Sequence, residues 1–199
     1  YLYEYRNGRY GDGRAIDRVP LPDKEMVTLE DYRIRHAQYK ADVDSQAMLQ
    51  QHPLIAVWDD HESSNNSWME GAENHDPDEG EGDWPTRRAA SVKAYYEWMP
   101  IRENRSARQL QIYRSFRFGN LVDLIMLDTR LTGRDEQVDP GDKAAVNAPE
   151  RSLLGGSQEA WLFGELKESI DDGTRWRVLG QQVFFSAQAP SDAIRNSDV

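Results

Sequence analysis

The chain has 199 residues, enough for one sizeable hydrophobic core, and carries 24 Lys and Arg against 35 Asp and Glu. The resulting net charge of −11 argues against nucleic acid as a stable partner, because an acidic surface repels the phosphate backbone. Six Trp, nine Tyr and five Phe argue against a disordered chain, and the lack of cysteine excludes disulfides, thiolate metal sites and cysteine nucleophiles.

The first predicted elements are a surface loop and a long helix. Residues 6–24 are rich in Gly, Asp, Arg and Pro, a composition typical of loops. Thr28 followed by Asp31 has the form of a capping box, and apolar residues then recur at three- and four-residue steps, so a helix is predicted over residues 29–50. His36 lies on the apolar face, where packing in the core is a commoner role for histidine than metal binding.

A predicted strand and a polar loop precede the second helix. Residues 54–58 form a short apolar run, the pattern of a strand that is buried on both faces. Residues 63–85 are mostly polar and predict a long loop. A helix is predicted over residues 86–98, beginning after Thr86 and ending before Pro100.

The second half of the chain mixes strands and helices. Residues 113–118 and 121–127 read as the two strands of a hairpin with a two-residue turn between them. Residues 131–156 form a second polar loop, and residues 157–170 an amphipathic helix. Two further strand pieces are predicted, at 176–179 and 183–185. This order predicts an α/β or α+β domain with a layered β-sheet core flanked by helices.

Acidic residues and a histidine follow the predicted strand 54–58. Asp59, Asp60, His61 and Glu62 leave the strand where ligands and catalytic groups gather in open α/β sheets. Carboxylates and imidazole suit Fe, Mn, Zn or Ca, and a nearby cation would relieve the repulsion between neighbouring acids. The alternative is a solvated acidic loop without a site.

Two other positions fit a site. Arg130 follows the predicted strand 121–127 and could hold a phosphate or carboxylate through its bidentate guanidinium, although a structural ion pair is as good an explanation. Asn66 comes shortly after the acidic cluster, and its amide oxygen is an acceptable ligand for a hard metal ion. The alternative for Asn66 is ordinary turn chemistry.

Short pieces spread over nearly the whole chain match one family in its own order. The chain resembles the PhoD-like alkaline phosphatase/phosphodiesterase family, within the calcineurin-like metallophosphoesterase superfamily. Each piece is weakly specific alone, but the set is highly specific. The matching pieces are residues 1–5, 58–62 with Asn65 and Asn66, 94–102, 116–119, 126–130 with Arg134, Asp135 and Gln137, and 179–182.

The resemblance implies a metallophosphoesterase-like fold with metals at the strand ends, and the metal-dependent hydrolysis of a small phosphate ester. It also implies Fe³⁺ and Ca²⁺ as cofactors that hold and activate a hydroxide, so that no serine or cysteine nucleophile is required. Whether a monoester or a diester is preferred stays open.

The resemblance also assigns roles to individual residues. Asp60 matches a metal ligand and His61 matches the catalytic histidine beside it, which contacts phosphate oxygens or assists the leaving group. Tyr3 matches an iron-binding tyrosine. Asp59 is a further candidate metal ligand. Asn66 and Arg130 are candidates for contact with the substrate, and Arg130 is a position to be tested rather than one fixed by the family pattern.

Some family segments have no counterpart in the chain. The Gly-Asp pair that precedes Tyr1 in the family and the late Gly-Asp-x-His metal segment do not occur. Residues 1–199 are therefore expected to be the central part of a catalytic domain, incomplete at both ends and lacking some metal ligands. Expressed alone, the chain is expected to be inactive.

Two other functions fit the composition. One is a non-enzymatic acidic Ca²⁺-binding or interaction module that uses the polar loops, and the other is a glycosidase that uses a carboxylate pair. Adjacent carboxylates point to opposite sides of an extended chain, which disfavours the glycosidase. No apolar run approaches the ~20 residues of a membrane span. A secreted, periplasmic or cell-surface location is implied by the resemblance alone, and no oligomeric state is predicted.

Overall fold

The computed structural model describes residues 2–6, 13–102 and 111–184. These residues combine helices with one three-stranded sheet, which confirms the predicted mixed fold class. Short 3₁₀ turns occur at Gly13–Ile16 and Pro77–Glu79. In chain order the other elements are α1 (Leu29–Lys40), α2 (Val43–Gln51), α3 (Trp84–Trp98), β1 (Arg114–Phe118), β2 (Val122–Met126), α4 (Lys143–Val146), α5 (Gly156–Asp171) and β3 (Trp176–Gly180).

The sheet has the strand order β1-β2-β3. β1 and β2 are antiparallel, which confirms the predicted hairpin, and β3 lies parallel to β2 after the chain has crossed over through α5. Phe118 pairs with Val122, so the connecting loop holds three residues and not the predicted two. Gly119 opens this loop at φ +59°, in the left-handed region that glycine adopts at little cost.

Helix α5 covers β2 through an apolar contact. Ile170, in the last turn of the helix, does not take part in this contact and is 62% exposed. The contact consists of Ile125, Leu127 and Leu162, with Trp161 and Leu166 at its margin.

The single helix predicted over residues 29–50 is two helices. Thr28 and Asp31 form the expected capping box at the start of α1. Asp42 then accepts a hydrogen bond from the Ser45 backbone N–H at 2.9 Å and caps a second helix, which ends the first one at Lys40. His36 is buried on α1, as predicted.

Helix α3 begins two residues earlier than predicted. The carboxylate of Asp83 accepts the backbone N–H of Thr86 at 3.0 Å, so Asp83, not Thr86, caps the helix, and Pro85 fits its first turn. The helix ends at Trp98, before Pro100, as predicted. α3 packs against α1 through Met26, Tyr32 and Ala94.

The predicted strand at residues 54–58 is wrong, since no strand occurs there in the structure. Its carbonyls bond to side chains: the guanidinium of Arg114 donates to Ala56 at 2.7 Å, and the amide of Gln182 donates to Trp58 at 2.9 Å. An apolar run predicts burial rather than backbone pairing, and Trp58 is indeed 1% exposed. The main core contains Trp58, Ala72, Trp84, Val92, Tyr95, Ile112 and Leu131.

The polar loops are largely as predicted. Residues 63–83 contain a β-bridge between Trp68 and Gly71 and one 3₁₀ turn, but none of the α-helices or β-strands given above. Residues 131–155 are irregular except for α4. Of the strand piece predicted at 183–185, residues 183 and 184 are not in a strand and residue 185 lies outside the described residues.

Candidate active site

A tight turn over residues 60–67 presents the acidic cluster. The backbone N–H groups of Ser63 and Ser64 both donate to the carbonyl of Asp60, at 2.7 and 2.8 Å. Asn66 has φ +49°, a left-handed conformation that asparagine tolerates, and its N–H donates to Asp60 Oδ2 at 2.8 Å. From α1, the Tyr32 hydroxyl donates to the carbonyl of Ser63 at 2.5 Å. The turn is thus fixed by its own backbone and by a helix.

A buried carboxylate, Glu4, orients His61. Glu4 has no exposed surface, and its Oε2 lies 2.6 Å from Nδ1 of His61. Its Oε1 accepts the Asn65 backbone N–H at 2.6 Å and the Asn74 side-chain amide at 3.1 Å. Because an ionised carboxylate only accepts hydrogen bonds, we assign the proton to Nδ1, which fixes the tautomer of the neutral ring.

Two tyrosine rings pack against the imidazole of His61. The Tyr3 ring centroid is 4.4 Å from that of His61, and the Tyr5 centroid is 5.6 Å away. The buried guanidinium of Arg35 donates to the carbonyls of Tyr3 and Tyr5 and so ties the first segment to α1. Tyr3 therefore lies beside His61.

Arg130 meets both aspartates of the cluster. Its Nε donates to Asp59 Oδ1 at 2.6 Å, and its Nη2 lies 3.6 Å from Asp60 Oδ1. Arg130 is held in turn by Asp128, whose Oδ1 accepts the N–H groups of Arg130 and Leu131 at 2.8 and 2.9 Å. Asp59 and Asp60 thus reach the same guanidinium instead of opposite sides of an extended chain, because the chain turns at residue 60.

Two glutamines lock the strand ends to the site. Gln158 of α5 accepts the Asp128 N–H and donates to its carbonyl, both at 2.8 Å. Gln182 donates to the carbonyls of Trp58 and Leu127, both at 2.9 Å. The ends of β2 and β3 are thereby fixed to the segment that carries the acidic cluster.

Glu62 stabilises the acidic cluster through two hydrogen bonds from the backbone. It is 6% exposed and accepts the backbone N–H groups of Leu2 and Asp59 at 2.7 and 2.8 Å. Burial raises the pKa of its carboxyl above the ordinary range. Glu62 therefore positions the first segment and Asp59.

A buried ion network stands behind Glu4. Arg87 of α3 is 1% exposed and donates to Glu25 and Glu81, both at 2.7 Å. The side-chain amide of Asn74 bridges Glu25 and Glu4, at 3.1 Å from each. The cation on α3 is thus connected to the carboxylate that orients His61.

The charges of the cluster shift the pKa values in different directions. Burial raises the pKa of Asp59, and the opposing charge of Arg130 does not offset it. Burial acts the same way on Asp60, but the charges of Arg130 and His61 outweigh it and lower the pKa. Burial lowers the pKa of His61, but the hydrogen bond and charge of Glu4 outweigh it and raise the pKa. The neighbours therefore favour the charged forms of Asp60 and His61.

The structure brings together all six candidates of the sequence analysis. His61, Tyr3, Asp59, Asp60 and Arg130 adjoin one another through the contacts above. Asn66 joins through its backbone, while its side-chain amide donates to Glu73 at 2.6 Å.

Sequence reasoning missed the supporting residues. Glu4 stands among three tyrosines in the first five residues, and an acid in such an aromatic run was a signal of a buried partner. Nothing local marks the others as partners of the cluster, because their contacts join distant segments. They are Arg87, Gln158 and Gln182.

The donor set does not form a metal site by itself. No three His, Asp or Glu side chains of residues 2–6, 13–102 and 111–184 are close enough together to hold an ion. Asp59 and Asp60 face a guanidinium, and one oxygen of Asp60 accepts a backbone N–H. The part of the chain that the structure describes therefore does not fit a complete Fe³⁺ or Ca²⁺ site. In the same part of the chain, no helix is long and apolar enough to cross a membrane.

Comparisons with known proteins agree on one family. Residues 1–198 match the model of the PhoD-like phosphatases. Alkaline phosphatase D of Bacillus subtilis (strain 168) is 38% identical over 193 residues, which cover 94% of this chain and 32% of the relative. A solved structure described as the structure of PhoD superposes with a TM-score of 0.78 at 38% identity, over 94% of this chain and 35% of that one. The chain spans about a third of the length of these relatives, and it belongs to the PhoD-like phosphatase family.

Proposed function

We propose that the protein containing this chain hydrolyses phosphate esters, and that this chain supplies a histidine and an arginine to the active site. The observation that carries the proposal is the buried pair of Glu4 and His61, 2.6 Å apart, next to the cluster of Arg130 with Asp59 and Asp60. Membership of the PhoD-like phosphatases supports the reaction class.

His61 is proposed as the catalytic residue. Glu4 holds its Nδ1 and favours the charged ring, in which Nε2 also carries a proton; this second N–H is proposed to contact a phosphate oxygen or to pass its proton to the leaving alcohol. The rings of Tyr3 and Tyr5 limit the tilt of the imidazole. An oriented histidine of this kind stabilises the charge that develops in the transition state.

Arg130 is proposed to contact the substrate. Arg130 is 6% exposed, and its Nη1 is buried and has no hydrogen-bond partner within the described residues. A planar guanidinium with a free donor suits a phosphate oxygen. Asn66 is a weaker candidate, because its amide nitrogen is already bound to Glu73.

Fe³⁺ and Ca²⁺ are proposed as the cofactors of the whole protein, on the resemblance alone. Tyr3, Asp60 and Asp59 would supply part of the ligand set. When bound, such ions lower the pKa of water and neutralise charge on the ester. The test is metal analysis of the full-length protein, with turnover of p-nitrophenyl phosphate and bis-p-nitrophenyl phosphate with and without EDTA. Full activity in a metal-free protein would contradict this assignment.

The role of His61 is tested by His61→Ala in the full-length protein. We expect kcat on p-nitrophenyl phosphate to fall roughly 10²-fold, the scale of a lost acid–base or charge-stabilising group. His52→Ala is the matched control, because His52 is exposed at the end of α2. Equal kcat values for the two variants would remove His61 from the mechanism.

Three assignments stay predictions. They are that residues 1–199 form the central part of a catalytic domain, that the protein is exported, and that its stable partners do not include nucleic acid. Neither alternative function gains support, because the family match is to phosphatases and both aspartates of the cluster face Arg130.

A further inference from the structure

A cavity lies between the loop that follows Arg130 and the segment that precedes α5. Its volume is about 200 Å³. It is lined by Arg134, Asp135, Gln137, Arg151, Ser152 and Leu153.

The walls of this cavity are joined by hydrogen bonds. The N–H of Asp135 donates to the carbonyl of Ser152 at 3.0 Å, and the N–H of Ser152 donates to Asp135 Oδ2 at 2.7 Å. The carbonyl of Arg134 accepts the N–H of Met69 at 3.0 Å. The cavity is therefore a defined part of the fold rather than a gap between loose loops.

The cavity carries an excess of positive charge. Within the described residues neither Arg134 nor Arg151 forms an ion pair, and their guanidinium groups donate only to the carbonyls of Thr129 and Glu136. Burial lowers the pKa of Arg134 to about 10, and the charge of Arg130 contributes to this effect. The lining residues thus include two cationic side chains and one carboxylate, that of Asp135.

An unused donor also lines the cavity. The side-chain nitrogen of Gln137 is buried and has no hydrogen-bond partner among the residues described. A buried amide N–H without an acceptor costs free energy, and a bound acceptor would remove that cost. The amide and the two guanidinium groups are all donors, which suits an oxyanion.

The cavity adjoins the site through Arg134. This residue is four positions after Arg130, and its guanidinium donates to the carbonyl of Thr129, the residue before Arg130, at 3.3 Å. A ligand whose phosphate meets Arg130 can therefore extend past Arg134 into the cavity.

We propose that this cavity is a subsite for a second anionic group, a phosphate or a carboxylate, of the substrate whose scissile phosphate lies at Arg130 and His61. The assignment rests on the proposed function, because it places the first phosphate at those residues. The substrates proposed are therefore phosphate esters whose alcohol part carries another negative charge.

The test is calorimetric binding of three phosphonates to the full-length protein. Propylphosphonate carries one anionic group, 3-phosphonopropionate adds a carboxylate, and propane-1,3-diphosphonate adds a second phosphonate. We expect the two doubly anionic compounds, or the better of them, to bind roughly 10-fold more tightly than propylphosphonate, since one charge-assisted contact contributes on that scale. The better of the two identifies the anion that the subsite prefers.

Arg151→Ala should abolish this difference, and Arg151→Lys should retain part of it. Arg175→Ala is the control, because Arg175 is exposed at the start of β3 and outside the cavity. If Arg151→Ala does not fold by circular dichroism, Gln137→Leu takes its place and should reduce the difference. Equal binding of all three compounds by the wild-type protein, or an equal loss for all three in the variant, would overturn the subsite.

The assay also separates the two proposals. Calorimetry needs no turnover, so a protein that distinguishes the compounds but hydrolyses no phosphate ester would contradict the proposed function and leave an anion site. A protein that hydrolyses p-nitrophenyl phosphate but binds the three compounds alike would contradict the subsite alone.

Discussion

Glu4 has no exposed surface and receives hydrogen bonds from three different parts of the chain. Its acceptors hold the ring of His61, the backbone of Asn65 and the amide of Asn74 in one place. A carboxylate in this position orients an imidazole and stabilises its charged form, as in other histidine–carboxylate pairs. Glu4 is therefore a positioning residue for His61.

Glu4→Gln in the full-length protein should lower kcat on p-nitrophenyl phosphate roughly 10-fold or more, the usual effect of losing a partner that orients a functional histidine. KM should change less, because Glu4 is not expected to touch the substrate. Glu30→Gln is the control, since Glu30 is exposed on α1. A variant with normal kcat and an unchanged histidine NMR signal would contradict this role.

His36 should make stability depend on pH. Burial lowers its pKa from 6.5 to about 4, with a smaller contribution from the charge of Lys40, and its Nε2 has no partner within the described residues. Below pH 6.5 the unfolded chain binds a proton that the folded chain binds only near pH 4. Above pH 6.5 the burial of neutral His36 therefore does not lower the free energy of unfolding. As the pH falls from 6.5 towards 4, the free energy of unfolding decreases, by about 3 kcal/mol at most.

The measurement is the free energy of unfolding of wild type and His36→Phe between pH 4 and 7.5. The difference between the two proteins should change in favour of the variant as the pH falls through this window. Using the difference cancels the titration of carboxylates that both proteins share. Parallel curves over the whole range would show that His36 does not titrate as its burial implies.

At the scale of elements, two glycines differ in the space that a side chain would find. A Cβ on Gly133 would lie 2.4 Å from the carbonyl oxygen of Leu154, so the loop after β2 and the segment before α5 approach too closely for any side chain. A Cβ on Gly164, in the middle of α5, would meet nothing within 4 Å. The same substitution should therefore have opposite effects at the two positions.

Gly133→Ala should lower the free energy of unfolding by about 1–3 kcal/mol, the usual cost of forcing an extra carbon into packed backbone. Gly164→Ala should raise it by about 0.5–1 kcal/mol, because alanine favours the helix more than glycine. Thermal unfolding of both variants next to wild type decides the matter. Destabilisation of both proteins by similar amounts would contradict the close approach at Gly133.

Elements whose signals lie within a few neighbouring residues were predicted from the sequence. The capping box at Thr28 and the alternating strands of the hairpin are encoded within a few residues, and both were predicted. The break at Asp42 was missed, because a capping aspartate between two helical patterns resembles an ordinary exposed acid. Residues 54–58 were assigned wrongly because an apolar run does not show whether its carbonyls bond to another strand or to side chains such as Gln182.

The site was predicted only in part, because only some of its residues are neighbours in the sequence. Asp59, Asp60 and His61 are consecutive, so their pattern is visible in the sequence. Glu4 is 57 positions from His61, and the contact between them follows from the folded chain rather than from any local pattern. The resemblance pointed to the first segment, but to Tyr3 and not to Glu4.

At the scale of the whole molecule, the segment before the turn joins two packed layers. On one side α1 packs with α3, and on the other β2 packs with α5. Gln182 is central to the junction, since its amide donates to Trp58 and Leu127 and its Oε1 accepts the N–H and hydroxyl of Thr129, at 3.2 and 2.6 Å. One side chain thus satisfies groups from both layers.

Gln182→Leu keeps the size of the side chain but removes all four hydrogen bonds. We expect the free energy of unfolding to fall by about 2–4 kcal/mol, because buried carbonyls and a hydroxyl lose their partners. Hydrogen exchange should speed up at residues 127–130 more than within α1. Gln50→Leu, at an exposed position of α2, is the control, and equal stability of the two variants would contradict the junction.

The buried network of Arg87 with Glu25 and Glu81 restricts how the sequence can diverge. Loss of Arg87 would leave two partly buried glutamates without their cation, at a cost of several kcal/mol, while replacement of the whole set by apolar residues is often tolerated. The three positions should therefore be inherited as one unit. In related sequences we expect a neutral residue at position 87 to be accompanied by the loss of at least one of the two glutamates, so that evolution proceeds there by paired rather than single steps.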